Sequence, residues 1–308
     1  MSALTLGGGG IGGVWGSTTR AEAVATVREA VERGITLFDL APSYGDGEAE
    51  RVVGEAFGNV DLPSDVRLTT KHQLGASPVD VYPRLRASLE ASLTRMGREH
   101  VDVFFLHGMI IPDSWAGSRG TPRSLFGKEV RPAFERLVGE GLAGAWGITG
   151  VGVPSALLET IAEDPPPAAI QCVANLLDSP GGMHRYEDEE EPRPRKLIAA
   201  ANARGIGVLG IRAVQAGALT DGFDRPLPDG DPEQSDFERA RPFRAIAREL
   251  GVTPAYLAHR YALSIEGVDS VILGVKNRSE LRECLQAETD GCLDEDVVKR
   301  IDEAVSRH

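Results

Sequence analysis

Four side chains within the first 107 residues could together move a proton. Asp39 and Tyr44 fall in FDLAPSYG, Lys71 in LTTKHQ and His107 in VFFLHG, each at or just past the end of a short apolar run. A lysine behind apolar neighbours is costly as an unpaired charge, and a carboxylate on the adjacent run can pair with it. The ammonium can then lower the pKa of a nearby phenol from its free value of about 10. Tyr44 becomes a usable proton donor and acceptor. His107 can hydrogen-bond a substrate oxygen and orient a carbonyl. Such a set gives and takes one proton beside an oxygen that becomes an alkoxide. It supplies no electron carrier, so the chemistry implies a hydride cofactor.

Something must bring these four together. ITLFDL (35–40), VRLTTK (66–71) and VDVFFLH (101–107) are short β-branched runs about thirty residues apart. AGAWGIT (143–149), AAIQCV (168–173), GIGVLGI (205–211) and SVILGV (270–275) continue the series, and LTLGGGGIGG (4–13) is a weaker first member. Near-continuous apolar runs indicate strands buried on both faces, as in a parallel sheet. Between them lie helical patterns such as TRAEAVATVREAVERG (19–34), EAERVVGEAFG (48–58) and YPRLRASLEASLTRMG (82–97). Thr19 can cap the first, with Glu22 completing a capping box. Eight strand–helix alternations without a linker predict a single (β/α)8 TIM barrel spanning residues 1–308. An open doubly wound sheet is the alternative. The glycine run at 7–13 does not support it, because its helix starts too late to cradle a pyrophosphate. In a barrel, residues at the carboxyl ends of the strands share one face, which is where all four candidates fall.

Composition narrows the function. A net charge of −13 argues against nucleic acid as a partner, since phosphate binding needs a basic surface. No apolar stretch approaches the roughly 20 residues that cross a bilayer. The start lacks the basic region and apolar run of a signal peptide. Three cysteines do not make a disulfide framework, so a reducing, cytoplasmic setting is expected. Zinc spacing, a nucleophile elbow and a P-loop are absent, and no metal is expected. Cys172, within a strand, reads as inert core.

Two segments read as long loops. Residues 108–128 follow the fourth strand and carry Met109 and Trp115, which could cover a substrate pocket. Residues 221–236 follow the seventh strand and look merely solvated. The acidic run 187–196 reads as a solvated approach to a helix. Trp15, after the first strand, could form a pocket wall.

FDLAPSYG, TTKHQ and VDVFFLHG resemble the corresponding segments of the aldo-keto reductases. ERLVGEGLAGAWGIT, PAYLAHRYALS and VILGVKNRSEL resemble that family's later strands and helices, so the similarity runs in order from about residue 4 to 305. The resemblance implies a barrel binding NAD(P)(H) in extended form. It also implies Tyr44 as acid and base, Lys71 as its tuner, Asp39 as the partner of Lys71 and His107 as substrate orienter. Gln171 fits the family's amide-binding glutamine, and Thr149 stands where a Ser-Asn pair holds the carboxamide. Ile211, Arg212 and Ala213 replace an aromatic-Ser-Pro, with Arg212 able to reach the pyrophosphate. Gly274, Lys276, Arg278 and Glu283 of the eighth unit fall at the cofactor, with Cys284 in the place of an adenine-contacting Asn.

The resemblance sets Lys276 and Arg278, with Arg282 one turn later, where the family binds the adenosine 2′-phosphate. NADP(H) is therefore expected over NAD(H), against the carboxylate of Glu280, which would favour NAD(H). The expected partner is a small carbonyl or alcohol. Two other functions remain, a lyase using Lys71 as a Schiff base and a non-catalytic nicotinamide-binding subunit. The oligomeric state is not legible.

Overall fold

The computed structural model describes residues 1–58, 62–75, 79–115, 120–183 and 191–306. Eight parallel strands close into a barrel in chain order. They are β1 (Leu4–Gly7), β2 (Leu37–Asp39), β3 (Arg67–His72), β4 (Val101–Leu106), β5 (Ala143–Thr149), β6 (Ala169–Val173), β7 (Gly207–Ile211) and β8 (Ser270–Leu273). The main helices are α1 (Arg20–Glu32), α2 (Glu48–Phe57), α3 (Val81–Met96), α4 (Arg131–Gly139), α5 (Pro154–Ala162) and α6 (Pro194–Ala203). After β7 come α7 (Pro232–Arg239), α8 (Arg241–Glu249) and α9 (Pro254–Leu263); after β8 come α10 (Arg278–Thr289) and α11 (Glu295–Ala304). The fold is the expected (β/α)8 barrel.

Each strand is apolar on both faces because each face is covered. Alternate residues such as Phe38, Leu68, Phe104, Ile148, Ile170 and Val208 join the large core with the helices. The others form a small inner cluster of Leu37, Phe105 and Leu209, packed with Val103, Ala169 and Ile272. Side chains alternate with a period of two along a strand. Two residues beyond Leu37, Phe105, Ala169, Leu209 and Ile272 stand Asp39, His107, Gln171, Ile211 and Gly274. The residues of interest therefore form the layer immediately above an apolar plug, at the carboxyl end of the barrel.

Thr19 caps α1, its Oγ1 accepting from the Glu22 amide at 3.2 Å. The other half of the expected capping box is not made, because the Glu22 carboxylate accepts from Arg278 instead. The glycine-rich start is extended only to Gly7 and then makes a helical turn, Gly8–Ile11. A Cβ at Gly10 would stand 2.0 Å from the Val275 carbonyl oxygen, so this glycine lets the turn lie against β8.

Both long loops carry structure. After β4, Ile110–Ile111 pairs in parallel with Thr121–Pro122, and residues 116–119 lie outside the described residues. After β7 the expectation of a merely solvated segment is corrected. Asp231 caps α7, and Glu233 and Asp236 are buried because they turn inward onto polar groups at the end of β7. Of the acidic run, residues 187–190 lie outside the described residues, and the chain is helical from Pro194. Among the described residues, no helix is long and apolar enough to cross a membrane.

Candidate active site

Lys71, next to last in β3, has no exposed side-chain surface, and Asp39 on β2 is 3% exposed. The three ammonium protons go to Asp39 Oδ2 at 2.6 Å, the Leu40 carbonyl at 2.9 Å and the Tyr44 hydroxyl at 3.4 Å. The other Asp39 oxygen accepts from Thr69 Oγ1 at 2.9 Å and Gln171 Nε2 at 2.6 Å. A buried ion pair is tolerable only when its remaining valences are filled in this way. Tyr44 arrives on a turn after β2, its amide donating to the Ala41 carbonyl at 3.1 Å. The next residue, Gly45, has φ 64° and would bring a Cβ within 2.2 Å of the Gly12 carbonyl oxygen. Only glycine fits that turn. His107 meets the Tyr44 ring edge-on, with centroids 5.8 Å apart. The four side chains named from the sequence are thus brought together.

The charges are set by burial and by Lys71. Burial pushes the Tyr44 phenol up; Lys71 pulls it down, Asp39 opposes that, and the net direction is upward. The simple expectation of a lowered phenol is corrected: the ammonium acts as proposed but does not outweigh burial and its own counter-ion. Burial alone would lower Lys71, but Asp39 and Tyr44 outweigh it and keep the amine protonated. His107 is pushed down to about 3 by burial first and by the Lys71 charge second, so it is a neutral imidazole. His72, also lowered mainly by burial, to about 4, hydrogen-bonds Ser88 Oγ through Nδ1 at 2.7 Å.

Above this layer opens a cavity of about 460 Å³. Asp39, Tyr44, His107, Thr149 and Gln171 line one end, and Ala255, His259, Glu283 and Cys284 the other. Trp15, Arg212, Gly274 and Lys276 also line it. Thr149 donates its hydroxyl to the Leu106 carbonyl at 3.0 Å and Gln171 donates to Asp39, so both face the cavity as acceptors. Trp15 lies against Gly9 and Gly274, with the Arg225 guanidinium 5.4 Å from its ring. Lys71 lies beneath the lining. Met109 and Trp115 are half-buried in the loop after β4, packed against the outer core, and are not among the residues that line this cavity.

The basic residues expected at a 2′-phosphate are not free. Arg278 is outside the cavity lining and pairs with Glu22 through Nε at 3.0 Å and Nη2 at 2.9 Å. Arg282 likewise pairs with Glu29, at 2.6 and 2.8 Å. Lys276 is shared between Asp224 at 2.5 Å and Glu280 at 2.7 Å. In this structure each of the three is engaged by a carboxylate. Arg212 donates to Glu233 at 2.6 Å and to Gln215 at 2.7 Å. Gln215 in turn donates to Asp236 and accepts from Asn175. That buried network was not anticipated. The signal was present in DPEQ (231–234), an N-cap Asp followed by Pro at the first helical position. Among the described residues no group of three His, Cys, Asp or Glu could hold a metal.

A closed parallel barrel thus carries a buried Lys–Asp pair, a phenol and a neutral imidazole at one cavity, an arrangement able to give and take a proton. The chain matches the aldo/keto reductase family over residues 3–306 and belongs to it. It is 26% identical over 292 residues to L-galactose dehydrogenase of Arabidopsis thaliana, covering 94% of this chain and 85% of that one. It is also 26% identical over 304 residues to a putative voltage-gated potassium channel subunit beta of Schizosaccharomyces pombe, covering 91% and 83%. In fold it is similar to a glycerol dehydrogenase from Gluconobacter oxydans, with a TM-score of 0.72 at 23% identity over 100% of this chain and 92% of that one. Aldo/keto reductases are oxidoreductases that in general use nicotinamide cofactors and act on small carbonyl substrates.

Proposed function

We propose that this chain reduces a small aldehyde or ketone, or oxidises the corresponding alcohol or aldose, with Tyr44 as the proton donor and acceptor. The observation that carries this is the single lysine that contacts both partners. Lys71 Nζ donates to Asp39 and to the Leu40 carbonyl and still reaches the Tyr44 hydroxyl at the floor of the cavity. In the reductive direction Tyr44 gives its proton to the carbonyl oxygen as charge develops there, and Lys71 stands beside the phenolate left behind. A neutral His107 can donate an N–H to the same oxygen and so fix the carbonyl's direction.

The donor set fits a nicotinamide dinucleotide. Thr149 and Gln171 offer acceptors to a carboxamide NH2, and Ile211 an apolar surface at the end of β7. Arg225, which lines the cavity, offers positive charge to a phosphate there. When bound, the nicotinamide supplies the hydride, which no side chain here can. A Schiff base on Lys71 fits poorly, since that chemistry needs a free amine lone pair and this amine is protonated and fully engaged. The three cysteines are unpaired, which suits a reducing, cytoplasmic compartment.

The test is a near-ultraviolet nicotinamide absorbance assay against aldehydes, ketones, sugars and polyols, with both cofactors and in both directions. Turnover is expected with at least one substrate class. A chain that binds a nicotinamide cofactor without any turnover would be a binding subunit, and one that binds none would overturn the proposal altogether.

A further inference from the structure

One buried carboxylate beside the site takes no part in the proton transfer itself. Glu50, in the first turn of α2, has no exposed surface and does not line the cavity. Its Oε1 accepts from the Thr70 hydroxyl of β3 at 2.6 Å, and its Oε2 from Arg95 Nε of α3 at 2.5 Å. A buried ion pair is often no more stable than apolar side chains of the same volume, so stability alone does not account for it. What it does is tie three elements at one point. We infer that Glu50 is a positioning residue, which holds the Tyr44 turn and the Lys71 strand in register and so sets the contact between those two side chains. On the function proposed above, that contact tunes the proton transfer.

The tie reaches Lys71 across one peptide bond. Thr70 precedes Lys71 on β3, and alternation turns the first side chain toward the helices and the second into the barrel. Thr70 is completely buried, in register with Phe104 of the outer core. The tie reaches Tyr44 through the start of α2. The Ala49 amide donates to the Tyr44 carbonyl at 3.2 Å and the Glu48 amide to the Gly45 carbonyl at 3.1 Å, so turn and helix move together. That turn needs support. Gly45, Asp46 and Gly47 have φ of 64°, 52° and 78° in succession, and the left-handed region disfavours Asp46. Arg95 lies directly on the turn, where a Cβ at Gly47 would stand 2.7 Å from its Cδ. By holding Arg95, Glu50 holds the turn as well.

The contact it sets has little margin. Of the three bonds that Lys71 donates, the one to the Tyr44 hydroxyl is the longest, 3.4 Å against 2.6 and 2.9 Å. Such bonds ordinarily span about 2.7–3.2 Å, so this one stands at its limit. A small outward shift of the turn would break it while the two shorter bonds persist. Lys71 is also what draws the Tyr44 phenol down against burial. A looser turn therefore leaves a phenol that ionises only at higher pH, and a phenolate with no cation beside it.

The experiment follows two quantities in the full chain. One is the ultraviolet titration of the Tyr44 phenol, read as the difference from the matching Tyr44→Phe chain. The other is kcat for alcohol oxidation across pH. Thr70→Val keeps the shape and cuts only the link to β3; Glu50→Gln removes the charge that holds Arg95. Both should titrate the phenol at higher pH than the wild type and move the ascending limb of the oxidation profile the same way. Both should lower kcat at neutral pH ten-fold or more, with KM and the cofactor dissociation constant within three-fold. Thr70→Ser, which restores the hydroxyl, should recover most of the wild-type profile. In a Tyr44→Phe background the same substitutions should lower kcat no further, because they act through the phenol. Should Glu50→Gln not fold, the two Thr70 variants carry the test. A folded Thr70→Val chain that is less stable but has an unmoved phenol titration and pH profile would overturn the inference and leave the proposed function standing. A wild type without turnover, whose phenol still shifts in the variants, would remove the function and leave the tie.

Discussion

Two lysines at the mouth of one barrel have opposite surroundings. Lys71, at the end of β3, has one carboxylate, one carbonyl and one phenol, and no contact with solvent. Lys276, after β8, has two carboxylates, and the Asp224 side chain that holds it is 59% exposed. The first is a charge with a surplus of influence, because its single counter-ion is itself engaged by Thr69 and Gln171. The second is over-neutralised. A cation at a site is therefore not yet evidence of an anion ligand; its existing partners decide whether any charge is left to offer.

The sharpest way to break this comparison is at the phenol. Tyr44→Phe removes the proton while keeping the ring against His107 and below the cavity. General acid catalysis is worth roughly 10²–10⁴-fold, so kcat should fall by that order while the cofactor dissociation constant stays within a few-fold. Near wild-type turnover on the best substrate would show that the proton comes from elsewhere.

Lys71→Met tests the influence of the ammonium directly. Lys71 draws the phenol down against burial, so its removal lets the phenol rise further. Alcohol oxidation needs the phenolate, which would then form only at higher pH. The ascending, low-pH limb of the oxidation profile should move to higher pH, with activity at neutral pH reduced. An unchanged profile would refute the tuning role. The variant also strands Asp39, and losing one partner of a buried pair costs roughly 3–5 kcal/mol. Should it fail to fold, the Asp39→Asn, Lys71→Met double variant restores neutrality and carries the same pH test.

The same contrast explains what the sequence disclosed. The Asp39–Lys71 pairing joins neighbouring strands, β2 and β3, in a layer fixed by period-two alternation above Leu37 and Phe105. Strand ends could be read, so that layer could be read. The partners of Arg278 and Arg282 lie on α1, more than 250 residues earlier in the chain, because the barrel closes there. Asp224 and Glu233 reach their cations from the connection after β7, which composition presented as solvated. Local pattern contains no information about a counter-ion that arrives through ring closure or on an irregular connection. The phenol's direction was misjudged for a related reason: burial depends on how the whole cavity closes, and only the neighbouring cation was visible.

Glu233→Gln asks whether the unanticipated network behaves like the buried pair or the rim. Arg212 and Glu233 are 9% and 7% exposed, and burial, which alone would raise the Glu233 carboxyl, is outweighed by its hydrogen bonds, bringing it down to about 2. Removing that charge leaves the nearly dry Arg212 without its paired carboxylate, with Gln215 on Nε and the Asp236 charge nearby. A loss of about 3 kcal/mol in chemical denaturation is expected. A loss under about 1 kcal/mol would place this pair with the surface bridges.

The smallest effect is expected at Arg278, and it sharpens the comparison most. The Arg278 and Glu22 side chains are 44% and 30% exposed. Exposed pairs are worth roughly 0–1 kcal/mol, because water screens the charges and two long side chains lose freedom on pairing. Arg278→Ala should therefore lower stability only slightly, and less in high salt. If the residue only ties α10 to α1, kcat/KM with NADP(H) and with NAD(H) should stay within two-fold of wild type. A residue that bound a 2′-phosphate would behave differently, since a charge-assisted hydrogen bond is worth about 1.5–3 kcal/mol and its loss would fall on NADP(H) alone. A selective loss of ten-fold or more with NADP(H) would mean that Arg278 exchanges Glu22 for the cofactor, and that its pairing in the free protein is a resting position.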